Sequence, residues 1–148
     1  MKSDIAAAVL LERIVRDSYG SKRSSEIQPL QWSILRFLQQ AQDGGSNLST
    51  ITQHLGLTLS PVSRAVQTLC KRGLVSKRVN PKNAREVIVT LTEDGVDTLA
   101  EDPLLNIARG LRRLPEGQRA QFIRAIRDLA GCDQLRRATL RSRDRSAG

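Results

Sequence analysis

The apolar positions of this chain change their period twice between Leu48 and Thr92, and each change marks an element. From Ser60 to Gly73, Val62, Val66, Leu69 and Cys70 fall at i, i+4, i+7 and i+8, the single stripe of a short helix that must face a core. Ser60 is placed to cap that helix, Pro61 takes its first position, where a missing N–H costs nothing, and Gly73 supplies the stop. Ahead of it, Ser49 caps a second short helix running to Leu55, with Ile51 and Leu55 on its inner side. The link Gly56-Leu57-Thr58-Leu59 carries the glycine that a tight elbow between two helices favours. After Gly73 the period drops to two. Leu74–Val79 and Glu86–Leu91 are valine-rich and alternate, and NPKNAR between them is a turn by composition. The expected fold is mainly α with a small β-hairpin.

The flanks predict further helices. Ser3 to about Tyr19 is helical, and Ile5–Leu11 is apolar almost all the way round, so this helix needs cover on more than one side. A second subunit is the natural source of that cover. Ser18–Ile27 reads as a loop, and a helix from Pro29 to about Gln42 buries Leu30, Ile34, Leu35 and Leu38, with Trp32 and Phe37 as packing residues. Beyond the hairpin Thr92 caps a helix whose first turns hold Glu93, Asp94 and Asp97, an arrangement the helix dipole favours. Asp102-Pro103 interrupts it, as a kink or as a fresh start capped by Asp102. The pattern resumes with Leu104, Ile107, Ala108 and Leu111 and turns at Leu114–Gly117. A last helix, Glu116–Ala130, is expected to bury Phe122, Ile123, Ile126, Leu129 and Ala130. From Gly131 the arginine-rich stretch CDQLRRATLRSRDRSAG has the composition of a flexible arm, either holding phosphate or merely solvated.

Charge sharpens the picture. Lysine and arginine number 24 against 15 acids, a formal net charge of +9, which suggests a polyanionic partner. Ser60–Thr90 holds seven bases and one acid, Glu86, whereas Leu91–Ala108 holds five acids and no base. The basic run coincides with the outward face of the Ser60–Gly73 helix, where Ser63, Arg64, Gln67, Lys71 and Arg72 offer the hydroxyl, amide and cationic donors that double-stranded DNA accepts. Ser60, Pro61, Ser63, Arg64 and Gln67 are the expected major-groove residues, and Arg64 the expected reader of guanine. Thr58, Lys77, Arg78 and Lys82 are expected on phosphates, with a turn hydroxyl bonding its own backbone as the alternative for Thr58. Arg85, with Asn83, is expected to enter the minor groove from the hairpin.

Other classes fare worse. No apolar run approaches the roughly 20 residues of a membrane span, and acids at Asp4 and Glu12 argue against a signal peptide, so a cytoplasmic protein is expected. Two cysteines and a single histidine, His54, make no metal site. Cys70 is expected in the core, and Cys132, beyond the last helix, is a candidate for oxidation sensing. With no phosphate-binding glycine loop and no nucleophile beside a base, neither an enzyme nor a cofactor is expected. A protein-interaction module and a nonspecific architectural DNA binder stand as alternatives to a specific DNA-binding protein.

Four segments in order, PLQWSILRFL, SPVSRAVQTLCKRGLV, a hairpin ending in Arg85, and VIVTLTEDG, resemble the MarR (multiple antibiotic resistance regulator) family of winged helix-turn-helix transcription factors. The resemblance covers roughly residues 5–130. It implies one unit over 1–130, with a winged-helix lobe at 28–92 and N- and C-terminal dimerisation helices at 3–19 and 93–130, followed by the basic tail at 131–148. It further implies a homodimeric repressor on a palindromic operator, relieved by a small aromatic ligand in a cleft that Tyr19, Trp32 and Arg36 would line. One departure stands out. Wings of the family commonly carry Asp-x-Arg, where this chain has Asn83-Ala84-Arg85, and asparagine cannot hold the arginine by charge.

Overall fold

The computed structural model describes the backbone of residues 1–20 and 26–146 and the side chains of 1–20 and 26–132. Its elements are α1 (Lys2–Tyr19), α2 (Pro29–Gln40), a 3-10 turn (Gln42–Gly44), β1 (Gly45–Asn47), α3 (Leu48–Leu55), α4 (Leu59–Lys71), β2 (Val75–Asn80), β3 (Asn83–Leu91), α5 (Glu93–Thr98), a 3-10 turn (Leu99–Glu101), α6 (Leu104–Arg112) and α7 (Glu116–Ser146). They pack as two units, Met1–Leu105 and Asn106–Gly148.

The first unit is built on one core. Trp32, Ile34, Leu35 and Leu38 of α2, Ile51 of α3, and Val62, Ala65, Val66 and Leu69 of α4 meet Leu74, Val75, Val89 and Leu99. The apolar stripe expected on α4 is therefore its buried face, with Ala65 added and Cys70 packed at the edge, half-buried. The sheet has three strands, in the order β1-β3-β2 and antiparallel throughout. The hairpin pattern predicts two of these strands and β1 is the third. Gly45 and Ser46, which read as a break, instead pair with Thr90 and Val89.

Both helices of the elbow start earlier than the serines suggest. Asn47, not Ser49, caps α3, its Oδ1 accepting from the Thr50 N–H at 2.7 Å. Thr58, not Ser60, precedes α4 in extended conformation, so Pro61 is the third helical residue. It still falls among the first four N–H groups, which have no partner inside a helix, so it does not break the turn. Gly56 (φ +66°) ends α3 and Gly73 (φ +73°) follows α4. At Gly73 the Leu74 N–H reaches the Leu69 carbonyl and the Gly73 N–H the Cys70 carbonyl, the double closure that a left-handed residue permits.

The start of α5 is clamped to that same corner. Thr92 caps α5 as expected, accepting from the Gly95 N–H at 3.1 Å, while its hydroxyl donates to the Gly73 carbonyl and its N–H to the Leu74 carbonyl. Asp102 does begin a new helix. It caps α6 through the Leu104 N–H at 2.9 Å and resolves the choice between kink and fresh start.

Two expectations about the terminal helices are corrected. Phe122, Ile123, Leu129 and Ala130 of α7 are exposed rather than buried and Ile126 only half-buried, and Ile5, Val9, Leu10 and Ile14 of α1 are exposed as well. The backbone does not leave the helix at Ala130: α7 runs on to Ser146 and carries Cys132 within it. No proline follows Glu116, and leucine, alanine, glutamine and arginine all favour helix, so local propensity outweighs the polar composition that suggested an arm. Among the described residues no helix is long and apolar enough to cross a membrane.

Candidate nucleic-acid interface

With Val62, Ala65, Val66 and Leu69 turned inward, α4 presents Ser60, Arg64, Gln67 and Lys71 fully to the outside and Pro61 and Ser63 partly. Thr58 is exposed at the elbow and makes no capping bond through its hydroxyl, so the local backbone does not consume it. Leu59, the first residue of α4, is 56% exposed beside Ser60. The sequence pattern hides this leucine because it starts the helix two residues later, at Pro61.

The hairpin is tighter than NPKNAR suggests. Asn80 pairs with Asn83, which leaves only Pro81 and Lys82 as the turn. Arg85 thus belongs to β3 and not to a loop. Next comes an irregularity in the ladder: Val79 pairs with Val87, so Ala84, Arg85 and Glu86 are extra residues on β3. The bulge gives the arginine freedom from the pleat to project outward. Asn83 accepts from the Arg85 backbone N–H at 3.2 Å, shaping the main chain rather than gripping the guanidinium. Lys77 stands opposite Val89 and Arg78 opposite Ile88, so the two bases leave opposite faces of the ribbon.

Among the described residues, none of Arg64, Lys71, Lys77, Arg78, Lys82 or Arg85 is in an ion pair. All six are exposed. Cations left without protein partners along one helix and one ribbon form a surface that a polyanion can neutralise.

The acids are placed differently. Glu86 turns to the hairpin interior, where its carboxylate accepts from the side-chain amides of Asn47 and Asn80. Asp102 grips Arg36 of α2 through two bonds, 2.6 Å to Nε and 2.9 Å to Nη2, and Arg36 also donates to the Tyr19 hydroxyl at 2.9 Å. Burial would raise the Asp102 pKa, but the Arg36 hydrogen bonds, the Leu104 N–H and the guanidinium charge more than offset it and hold the carboxyl below its ordinary range. Burial likewise opposes the charge on Arg36, and its bonds to Asp102 and Tyr19 outweigh that and raise it. Of the three residues expected to line a ligand cleft, the structure brings Tyr19 and Arg36 together. Trp32, 5% exposed, lies in the core instead.

This arrangement has known counterparts. Residues 27–95 match the family described as the winged helix DNA-binding domain. The fold matches Sco3205, a MarR family transcriptional regulator from Streptomyces coelicolor solved in complex with DNA, with a TM-score of 0.66 and 23% identity over 87% of this chain and 82% of that one. The chain has the fold of these MarR-type regulators, and its residues 27–95 are similar to a winged helix DNA-binding domain. Rv1404 from Mycobacterium tuberculosis matches with a TM-score of 0.65 and 25% identity over 90% of each chain. The PcaV transcriptional regulator from Streptomyces coelicolor, solved with its natural ligand, matches with a TM-score of 0.62 and 24% identity over 86% of this chain and 89% of that one. No curated protein matches the sequence. In the terms of this fold, α4 is the recognition helix and β2–β3 the wing.

Proposed function

We propose that the chain is a homodimeric transcriptional repressor that binds a near-palindromic operator, each recognition helix entering a major groove and each wing a flanking minor groove. The observation that carries this reading is the two-faced recognition helix. One face is wholly committed to the core, and the other carries a hydroxyl, an amide and unpaired cations beside a ribbon of further cations.

Arg64 is the side chain for guanine O6 and N7, and Gln67 and Ser63 suit neighbouring base edges. Ser60 and Pro61 stand at the opening of the recognition helix and join Ser63, Arg64 and Gln67 in the major groove, while Thr58 offers its hydroxyl to a phosphate. Leu59 suits a thymine methyl. Lys77, Arg78 and Lys82 serve phosphates, and Arg85, with Asn83 shaping its backbone, serves the minor groove. The exposed apolar residues of α1 and α7 support a second copy of the chain as their cover. A two-fold dimer sets the half-sites about one helical turn, ~10 bp, apart.

That the PcaV transcriptional regulator binds a natural ligand supports a small-molecule ligand here, which we take to relieve repression. Tyr19 and Arg36 are the residues to receive such a ligand, and an anionic aromatic compound would compete with Asp102 for the guanidinium. The test is a selection of bound duplexes from a random library at low and near-physiological salt. One enriched palindrome that survives the higher salt supports the reading. Motif-free binding that collapses with salt replaces it by an architectural role, and no binding at either salt defeats it.

A further inference from the structure

Glu86 is the one acid in a basic stretch, and two oriented amides converge on it. Asn47 accepts the Thr50 N–H on Oδ1, so its NH2 group must point the other way, to Glu86. Asn80 accepts the Lys82 N–H on Oδ1 at 3.0 Å, and its NH2 group likewise meets Glu86. A backbone N–H can only donate, so both amides are fixed in orientation by the main chain. Each then presents donors to one point. A carboxylate, with two acceptor oxygens and no donor, answers both amides at once, one oxygen to each.

The chain of bonds runs from the first turn of α3, through β1, across the bulge of β3 and into the two-residue turn of the wing. Glu86 follows Arg85 directly, inside the irregular stretch where the ladder does not define the backbone. What the missing ladder bonds do not fix, the carboxylate does. Asn83 adds only a local main-chain bond, so the burden of orienting the arginine falls on its neighbour.

We propose that Glu86 is the positioning residue of the wing: by accepting from Asn47 and Asn80 together it ties the wing to the start of α3 and sets where Arg85 reaches beside the recognition helix. This rests on the DNA-binding reading above. The role is conformational, and the negative charge is tolerated because two amides cover it.

The test combines three variants with two readouts. E86Q replaces one acceptor by a donor and strands an amide, so affinity for an operator with A·T-rich flanks should fall about tenfold, with a much smaller fall on G·C-rich flanks. The double variant R85A/E86Q should bind no more weakly than R85A alone, because the glutamate acts through the arginine. N80D keeps the acceptor for Lys82 but opposes two carboxylates, and it should give the same flank-selective loss should E86Q fold poorly. Amide hydrogen exchange at Thr50 and Lys82 should accelerate in E86Q and N80D while core amides stay unchanged.

Equal loss on both flanks, or losses of R85A and E86Q that add, would mean a merely structural role and overturn the proposal. Tighter binding by E86Q on every flank would mean that only its charge matters, and would overturn it too. Wild-type protein that enriches no duplex would defeat the DNA reading itself. In that case exchange alone decides: unchanged rates at Thr50 and Lys82 overturn the tie, and faster rates uphold it.

Discussion

Gly95 sits so close beneath Leu74 that a Cβ built on it would stand 2.0 Å from the Leu74 carbonyl oxygen. Leu74 closes the corner after the recognition helix, and Gly95 is in the first turn of α5, so glycine is what lets the two elements touch.

Gly95→Ala cannot be absorbed by turning a side chain, because the obstacle is backbone. It should destabilise the fold by at least about 1–3 kcal/mol, lowering the thermal midpoint by roughly 2–4 °C per kcal/mol for a chain of this size. Calorimetry of the variant checks it, and a midpoint equal to wild type would mean that α5 does not lie this near Leu74.

Asp102 gives the fold a pH dependence of known sign. Its folded pKa lies below the ordinary value, so the contribution is fully present above the unfolded pKa of about 3.9 and is lost as pH falls through the folded value. Urea midpoints should therefore drop progressively as pH falls below about 5, and Asp102→Asn should flatten that part of the curve. Asparagine can still cap α6, so a variant that loses stability at neutral pH reports the Arg36 bonds, about 1–3 kcal/mol. A curve of unchanged slope in the variant would assign the acid sensitivity elsewhere.

Arg64 and Lys82 should fail in different ways. Arg64→Ala should relax discrimination at one base pair by about 1–3 kcal/mol. Lys82→Ala should weaken every duplex alike and make the salt slope shallower by about one. Titrations against single-base operator variants at several salt concentrations separate the two; a sequence-selective loss in Lys82→Ala would move it from phosphate to base.

The exposed leucine, isoleucine and valine residues of α1 predict self-association. Val9→Glu, at a position 56% exposed in the single chain, should convert a dimer to a monomer in sedimentation equilibrium without changing the thermal midpoint of the winged-helix lobe. Wild-type protein that sediments as a monomer at every concentration would remove the dimer.

Much of this fold was legible because periodicity and stop signals agree. The Val62–Cys70 stripe, Gly73 and Thr92 each did in the structure what their residue types dictate. The start of α4 is ambiguous in the sequence because two hydroxyl residues, Thr58 and Ser60, stand two apart and suit a helix cap about equally. Asp102 was visible as a cap, but its grip on Arg36, 66 residues away in sequence, is a tertiary fact that no local signal carries. Of the interface, the outward face of α4 followed directly from its inward one. The bulge at Arg85 and the cover over Glu86 did not, since both depend on how β1 and β2 flank β3. The helical continuation past Ala130 is hidden in the sequence because a charge-rich composition masks residues that favour helix.

Asn47 holds two offices at once, acceptor for the first turn of α3 and donor to the wing carboxylate. Aspartate could fill the first and would repel the second; serine could cap but would not span both; alanine would do neither. Mutational tolerance at this position should accordingly be among the lowest on the protein surface, even though the residue is partly exposed and belongs to no core. A saturation library sorted for operator binding would then recover asparagine nearly alone at position 47, while neighbouring Ser49, exposed and relieved of its expected capping duty, would accept most polar residues.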